Sequence, residues 1–149
     1  MIAKVCIATG AQWSEVGNLE LKHIRNSQIQ FVGTKSGRIR TTPIAKQFEK
    51  DLKTHHDKTE TSQRLFAYAY SAFRDGVDRA GITLAAGQLS HVLRHSLASH
   101  FMMGGGNILV LQRALGHANL TITMRYVHLA PDCLLEVVKL KPISALTVA

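Results

Sequence analysis

The stretch "SHVLRHSLASHFMMGGGNILVLQRALGHANLTITMRYVHL", residues 90–129, decides how this chain folds. Ser90 stands where a helix N-cap is wanted, ahead of "HVLRHSLASHFMM". The glycines at 104–106 must break that helix, Asn107 is placed to cap "ILVLQRAL", and Gly116 to end it. A further short helix is expected to carry Tyr126.

Within this stretch His91 and Arg94 lie three apart and share a helix face. An imidazole can donate a hydrogen bond or move a proton near neutral pH, and a guanidinium can clamp two phosphate oxygens, so the pair suits a phosphodiester. A solvated helix face is the plainer reading of the same spacing. His91 and His95 have the i, i+4 spacing of zinc helices, but the HExxH glutamate is absent and Arg94 would sit beside the metal. No metal is expected; His95 and His100 are read as partners of backbone or core polar groups.

Three readings of Tyr126 stay open on spacing alone. Ile122, Tyr126 and Leu129 have the spacing of a packed helical stripe. "ALGHANLTITMRYV" also fits a helix-turn-helix with "LTITMRYV" as the DNA-reading helix. The third reading makes Tyr126 a nucleophile.

Upstream, "MIAKVCIAT" places Ile2, Val5, Cys6 and Thr9 on one helical face, with Gly10 as its stop and a second short helix after Ala11. "IQFVGTKSGRIRTTPI" reads as a hairpin, Ile29 and Phe31 alternating with Gln30, with Lys35 at the turn. Residues 45–55 form a polar-faced helix, "KTHHDKTETSQ" a loop in which His55 and His56 need no role, and 69–80 a helix closed by Gly81. Pro131 starts a last amphipathic helix, "DCLLEVV", followed by an irregular tail.

Composition narrows the function. With 149 residues and 46% hydrophobic content the chain is one domain with a core. Eighteen Lys and Arg against ten Asp and Glu give a charge of +8 and an isoelectric point near 9.9, which suits a polyanion such as nucleic acid. Cys6 and Cys133 form no metal or disulfide pattern, and the apolar opening is too short to span a bilayer. A reducing cytoplasm and no membrane association are expected.

The order of the motifs resembles the catalytic domain of tyrosine recombinases, in particular integrases of temperate phages: "ATGAQWSEV", a hairpin with "TKSGR", "LRHSLASHFM", then "LGH" with a tyrosine nine residues after its histidine. The resemblance covers almost the whole chain. It implies a mainly α fold with a small antiparallel sheet (α+β). It also implies site-specific DNA recombination, integrating or excising phage or prophage DNA through a 3′-phosphotyrosine bond. Tyr126 would attack the scissile phosphate and Arg94 bind its nonbridging oxygens. His91 and His117 would donate hydrogen bonds or assist proton transfer, and Lys35 would protonate the 5′-hydroxyl leaving group. Glu15 matches an acidic position that supports these groups, and Lys35, Arg38, Arg40 and Arg125 are expected against DNA. A phenol of pKa about 10 needs such neighbouring cations and donors to react at neutral pH.

By the same resemblance no cofactor, metal or small-molecule substrate is needed; the partner is double-stranded DNA at attachment sites, on which four protomers act. Residues 1–149 then form a single catalytic domain that lacks its N-terminal part and the preceding clamp domain. Residues 131–149 are a C-terminal helix and tail that protomers exchange or that packs in cis. One position departs from the pattern: Gln12 stands where the family carries the first of two phosphate-gripping arginines, and a neutral amide cannot replace a bidentate charged contact. Impaired cleavage follows, with a DNA-binding integrase remnant or a helix-turn-helix regulator as the alternatives.

Overall fold

In the computed structural model, residues 1–32, 37, 39–59 and 63–131 are described, and every structural statement below concerns them. Lys35, Arg38, Cys133, the hairpin turn and the expected last helix lie outside this set.

The chain opens with α1 (Ile2–Thr9) and α2 (Trp13–Gly17). Ile2, Val5, Cys6 and Thr9 form the buried face of α1, and Gly10 ends it at φ 66°, a left-handed conformation that glycine adopts without a Cβ clash. A three-stranded antiparallel sheet follows in the order β1 (Ile24–Arg25), β2 (Gln28–Phe31), β3 (Arg40–Pro43). The β1–β2 hairpin is an addition to the expected one. Asn26 and Ser27 turn it with φ of 51° and 57°, so the dipeptide at 26–27 was the available signal.

α3 runs Lys46–Thr59, four residues past its expected end. The half-buried Phe48, buried Leu52 and half-buried His55 continue one face, and the His55 ring packs 5.5 Å from that of Phe66. The i, i+4 pairs Gln47–Asp51 and Glu49–Lys53 support the outer face. The two histidines therefore belong to a helix rather than a loop.

α4 (Tyr70–Arg79), α5 (His91–Met103), α6 (Ile108–Leu115) and α7 (Leu120–Met124) complete the fold. Asn107 caps α6 through Leu109 and Val110, as expected, whereas the Ser90 side chain makes no capping bond. The glycine run answers two demands. Gly105 takes φ 76°, and a Cβ on Gly106 would stand 2.2 Å from the Phe101 ring. α7 is shorter than expected and stops before Tyr126, which opens the 3-10 turn Val127–Leu129. At five residues α7 is too short for the recognition helix of a helix-turn-helix, and its Thr123 points inward.

α5 joins two apolar clusters. Its Leu93 belongs to the larger one, with Val5, Val16, Ile29, Phe31, Leu52 and Leu65, while Ala98 and Met102 belong to the smaller, with Leu111, Leu115 and Tyr126. α1 packs along α5, so the chain's first helix and the histidine-rich one share a seam.

Gly10 sits at that seam: a Cβ there would meet Leu115 Cδ2 at 2.6 Å and Leu97 Cδ2 at 2.8 Å. Gly10→Ala is expected to cost about 1–3 kcal/mol, from the left-handed backbone and the overlap together. Gly76→Ala, in open space within α4, should instead stabilise by about 0.5–1 kcal/mol. Denaturant unfolding of the two variants checks the opposite signs.

Candidate functional site

The site forms where the C-terminal end of α6 meets the starts of α2 and α5. A helix end leaves its last carbonyls without partners, and here arginines supply them. Arg94, from α5, donates through Nη1 to the Gly10 carbonyl at 2.7 Å and through Nη2 to that of Leu115. Arg40, from β3, donates through Nη1 to the Ala114 carbonyl and through Nη2 to Glu15 Oε2 at 3.0 Å. Burial lowers the pKa of both arginines, and the charge of Arg40 lowers that of Arg94 further. Neither loses its charge at neutral pH.

The structure corrects the expectation that Arg40 faces DNA. Its side chain is 8% exposed and its guanidinium lies 4.7 Å from the centre of the Phe31 ring. The reason is the strand's two-residue period: β3 turns Arg40 and Thr42 inward together, and Thr41 and Pro43 outward. Arg125 is exposed, as a DNA contact requires.

At the start of α2, Glu15 Oε2 also accepts from the Gln12 backbone N–H at 2.8 Å. This bond ties the Gln12 backbone to the first turn of its own helix. Gln12 nonetheless borders a cleft of about 250 Å³ with Trp13, Ser14, Tyr70, Ser90, His91 and Arg94. Trp13 stacks on Phe73 at 4.7 Å and meets Tyr70 edge-on at 5.7 Å, so α4 forms one wall. Trp13, Ser14 and Tyr70 were not among the expected site residues. Only the position of Trp13 and Ser14 beside Gln12 could have suggested two of them.

His117 follows the left-handed Gly116 (φ 68°), and its Nδ1 is 2.8 Å from Thr123 Oγ1. Burial, then the charges of Arg94, Arg125 and Arg40, depress its pKa to about 4. At neutral pH it is therefore an uncharged hydrogen-bonding group. Tyr126 is 6% exposed within the smaller apolar cluster, and its hydroxyl is hydrogen-bonded with His95 Nδ1. Burial raises the Tyr126 pKa against the opposing pull of Arg125 and Arg94, and burial lowers that of His95. His95 has the polar partner expected of it; the exposed His100 shows none of its own.

The expected residues thus assemble in part. Gln12, His91 and Arg94 share the cleft, with Glu15 bound behind them. His117 and Tyr126 lie close enough to Arg94 to feel its charge, but they do not line the cleft. Among the described residues no group of three or more His, Cys, Asp or Glu side chains is placed to hold a metal ion.

A histidine whose folded pKa lies below its ordinary 6.5 binds a proton more readily in the unfolded chain. Its contribution to stability is complete above pH 6.5 and is lost as pH falls towards about 4. The melting temperature should fall across that window, and His117→Gln should flatten the fall. His95 and His55, also lowered by burial, keep the slope from vanishing. Calorimetric melts at several pH values check this.

Known proteins resemble this chain in sequence and in fold. The phage integrase family profile matches residues 1–132. The integrase of Escherichia phage 186 is 48% identical over 98% of this chain and 42% of its own length. The integrase of Haemophilus phage HP1 is 47% identical over 97% and 41%. The solved catalytic domain of bacteriophage HP1 integrase superposes with a TM-score of 0.87 at 46% identity, over 97% of this chain and 82% of that one. The chain spans about two fifths of the length of these curated relatives. It belongs to the phage integrase family of tyrosine recombinases.

Proposed function

We propose that this chain performs the strand cleavage and rejoining of site-specific DNA recombination, in phage or prophage integration or excision. The observation that carries the reading is the shared cleft of Arg94 and His91, charged, and next to a buried tyrosine hydroxyl already paired with an imidazole. The scissile phosphate enters this cleft, where a guanidinium and an imidazole face its nonbridging oxygens. Charge gathers on those oxygens in the pentacoordinate transition state, and fixed donors in a dry site act most strongly there.

Tyr126 Oη attacks phosphorus, forming a phosphotyrosine at the 3′ end while the bond to the 5′ oxygen breaks. His95, neutral at pH 7 and bonded to the hydroxyl, takes the phenol proton. Lys35 returns a proton to the departing 5′ oxygen, and His117 holds the phosphate by hydrogen bonding. The ester keeps the bond energy for rejoining, so no cofactor enters. Tyr126 must move from its apolar cluster towards the cleft when DNA binds. Arg125 and Arg38 contact the duplex outside the reacting atoms. The partner is double-stranded attachment-site DNA in the cytoplasm, on which four protomers assemble, with the segment after Pro131 reaching a neighbour. Among the described residues no helix is long and apolar enough to cross a membrane.

Gln12 favours a second reading, a DNA-binding integrase remnant that occupies sites with little cutting. It puts a neutral amide at the N-cap of α2, where an arginine would grip the phosphate.

Two experiments separate these readings. On a nicked suicide duplex that traps the covalent intermediate, the adduct should map to Tyr126 and vanish in Tyr126→Phe, with Tyr68→Phe and Tyr70→Phe retaining it. An adduct that survives Tyr126→Phe overturns the assignment. Gln12→Arg should raise the single-turnover cleavage rate at saturating duplex on the order of 10²- to 10³-fold. An arginine variant that cleaves no faster removes Gln12 from the phosphate site.

A further inference from the structure

We infer that Arg40 is a positioning residue: its guanidinium ties β3, the start of α2 and the end of α6 together, and so sets where Gln12, Arg94 and His117 stand around the phosphate. This rests on the reading of the cleft given above and adds a residue to it.

The connections are direct. From β3, Arg40 reaches Glu15, 25 residues away, and the Ala114 carbonyl, 74 residues away. The Glu15 oxygen that it engages is the one that accepts the Gln12 N–H. The α6 carbonyl that it engages precedes the Leu115 carbonyl held by Arg94. Two guanidiniums therefore cap one helix end, the favourable place for positive charge, and His117 leaves the helix two residues later. Gly116 permits the approach, since a Cβ there would stand 3.2 Å from Arg40 Cδ.

Stability alone does not account for the charge. A buried ion pair is often no more stabilising than apolar side chains of like volume, and the Phe31 ring offers Arg40 an apolar surface to lie on. What an apolar replacement cannot do is fix two polar partners on separate segments at once. A lysine at 40 keeps the charge but lacks the planar fork that serves both partners. A DNA-contacting role would need exposure that Arg40 does not have.

The test uses the full chain with Arg40→Met and Arg40→Lys, after thermal melts confirm folding. If Arg40→Met does not fold, Glu15→Gln/Arg40→Met, with both charges gone, replaces it. The single-turnover rate at saturating suicide duplex should fall about 10- to 100-fold in Arg40→Met, on the scale expected of displaced reacting groups. The duplex Kd and its salt dependence should stay as in the parent, and Arg40→Lys should recover part of the rate. A weakened Kd with a salt slope smaller by about 1 would make Arg40 a phosphate contact, and an unchanged rate would make it packing; either overturns the proposal.

A second readout needs no cleavage. The His117 imidazole, followed by NMR, should titrate higher in Arg40→Met than in the parent, because the charge of Arg40 is one of the causes that lower its pKa. It should also shift in Arg40→Lys, where the charge is retained and only position changes. If the parent does not cleave, the recombinase reading fails and this titration alone decides: a His117 midpoint unmoved in Arg40→Lys overturns the role of Arg40.

Discussion

The C-terminal end of α6 is the constraint on which the rest of the site depends. Its carbonyls at Ala114 and Leu115 need donors, and the chain supplies them from β3 and α5, two segments far apart in sequence. Because the donors are guanidiniums, satisfying the helix end gathers two positive charges beside the cleft. Glu15 offsets them from the opposite side.

Around that point the packing is divided. The larger apolar cluster holds α1, α2, the sheet and α3, while the smaller one holds α6, the latter part of α5 and Tyr126. Arg94 stands on α5 between the two, held from one side by the Gly10 carbonyl and from the other by that of Leu115. The tyrosine belongs wholly to the smaller cluster.

Local chemistry made much of this legible in the sequence. Gly10 and Gly116 mark left-handed stops because side chains resist that conformation, and Asn107 marks a start because its side chain accepts from free N–H groups. The family motifs placed Arg94, His91, His117 and Tyr126 near one another. What stayed hidden depends on pairing across the chain. The inward face of β3 is set by the register Phe31↔Arg40 and Ile29↔Thr42, and no property of four alternating residues says which alternate face is buried. The His95–Tyr126 bond joins residues 31 apart, and the cleft wall at Tyr70 comes from a helix whose amphipathic pattern marks no such neighbour. The neutral state of His117 likewise arises from burial and from arginines on three other segments.

The aromatic wall has an optical consequence. The chain contains one tryptophan, and that residue, Trp13, stands at the mouth of the cleft, half-buried, stacked on Phe73 and edge-on to Tyr70. Excited near 295 nm, where tyrosine hardly absorbs, the whole protein therefore emits from a single indole beside the cleft. An anion or a nucleic-acid strand entering there changes the polarity and quenching around that one ring. Occupancy of the cleft is thus written into the intrinsic fluorescence of the unlabelled chain.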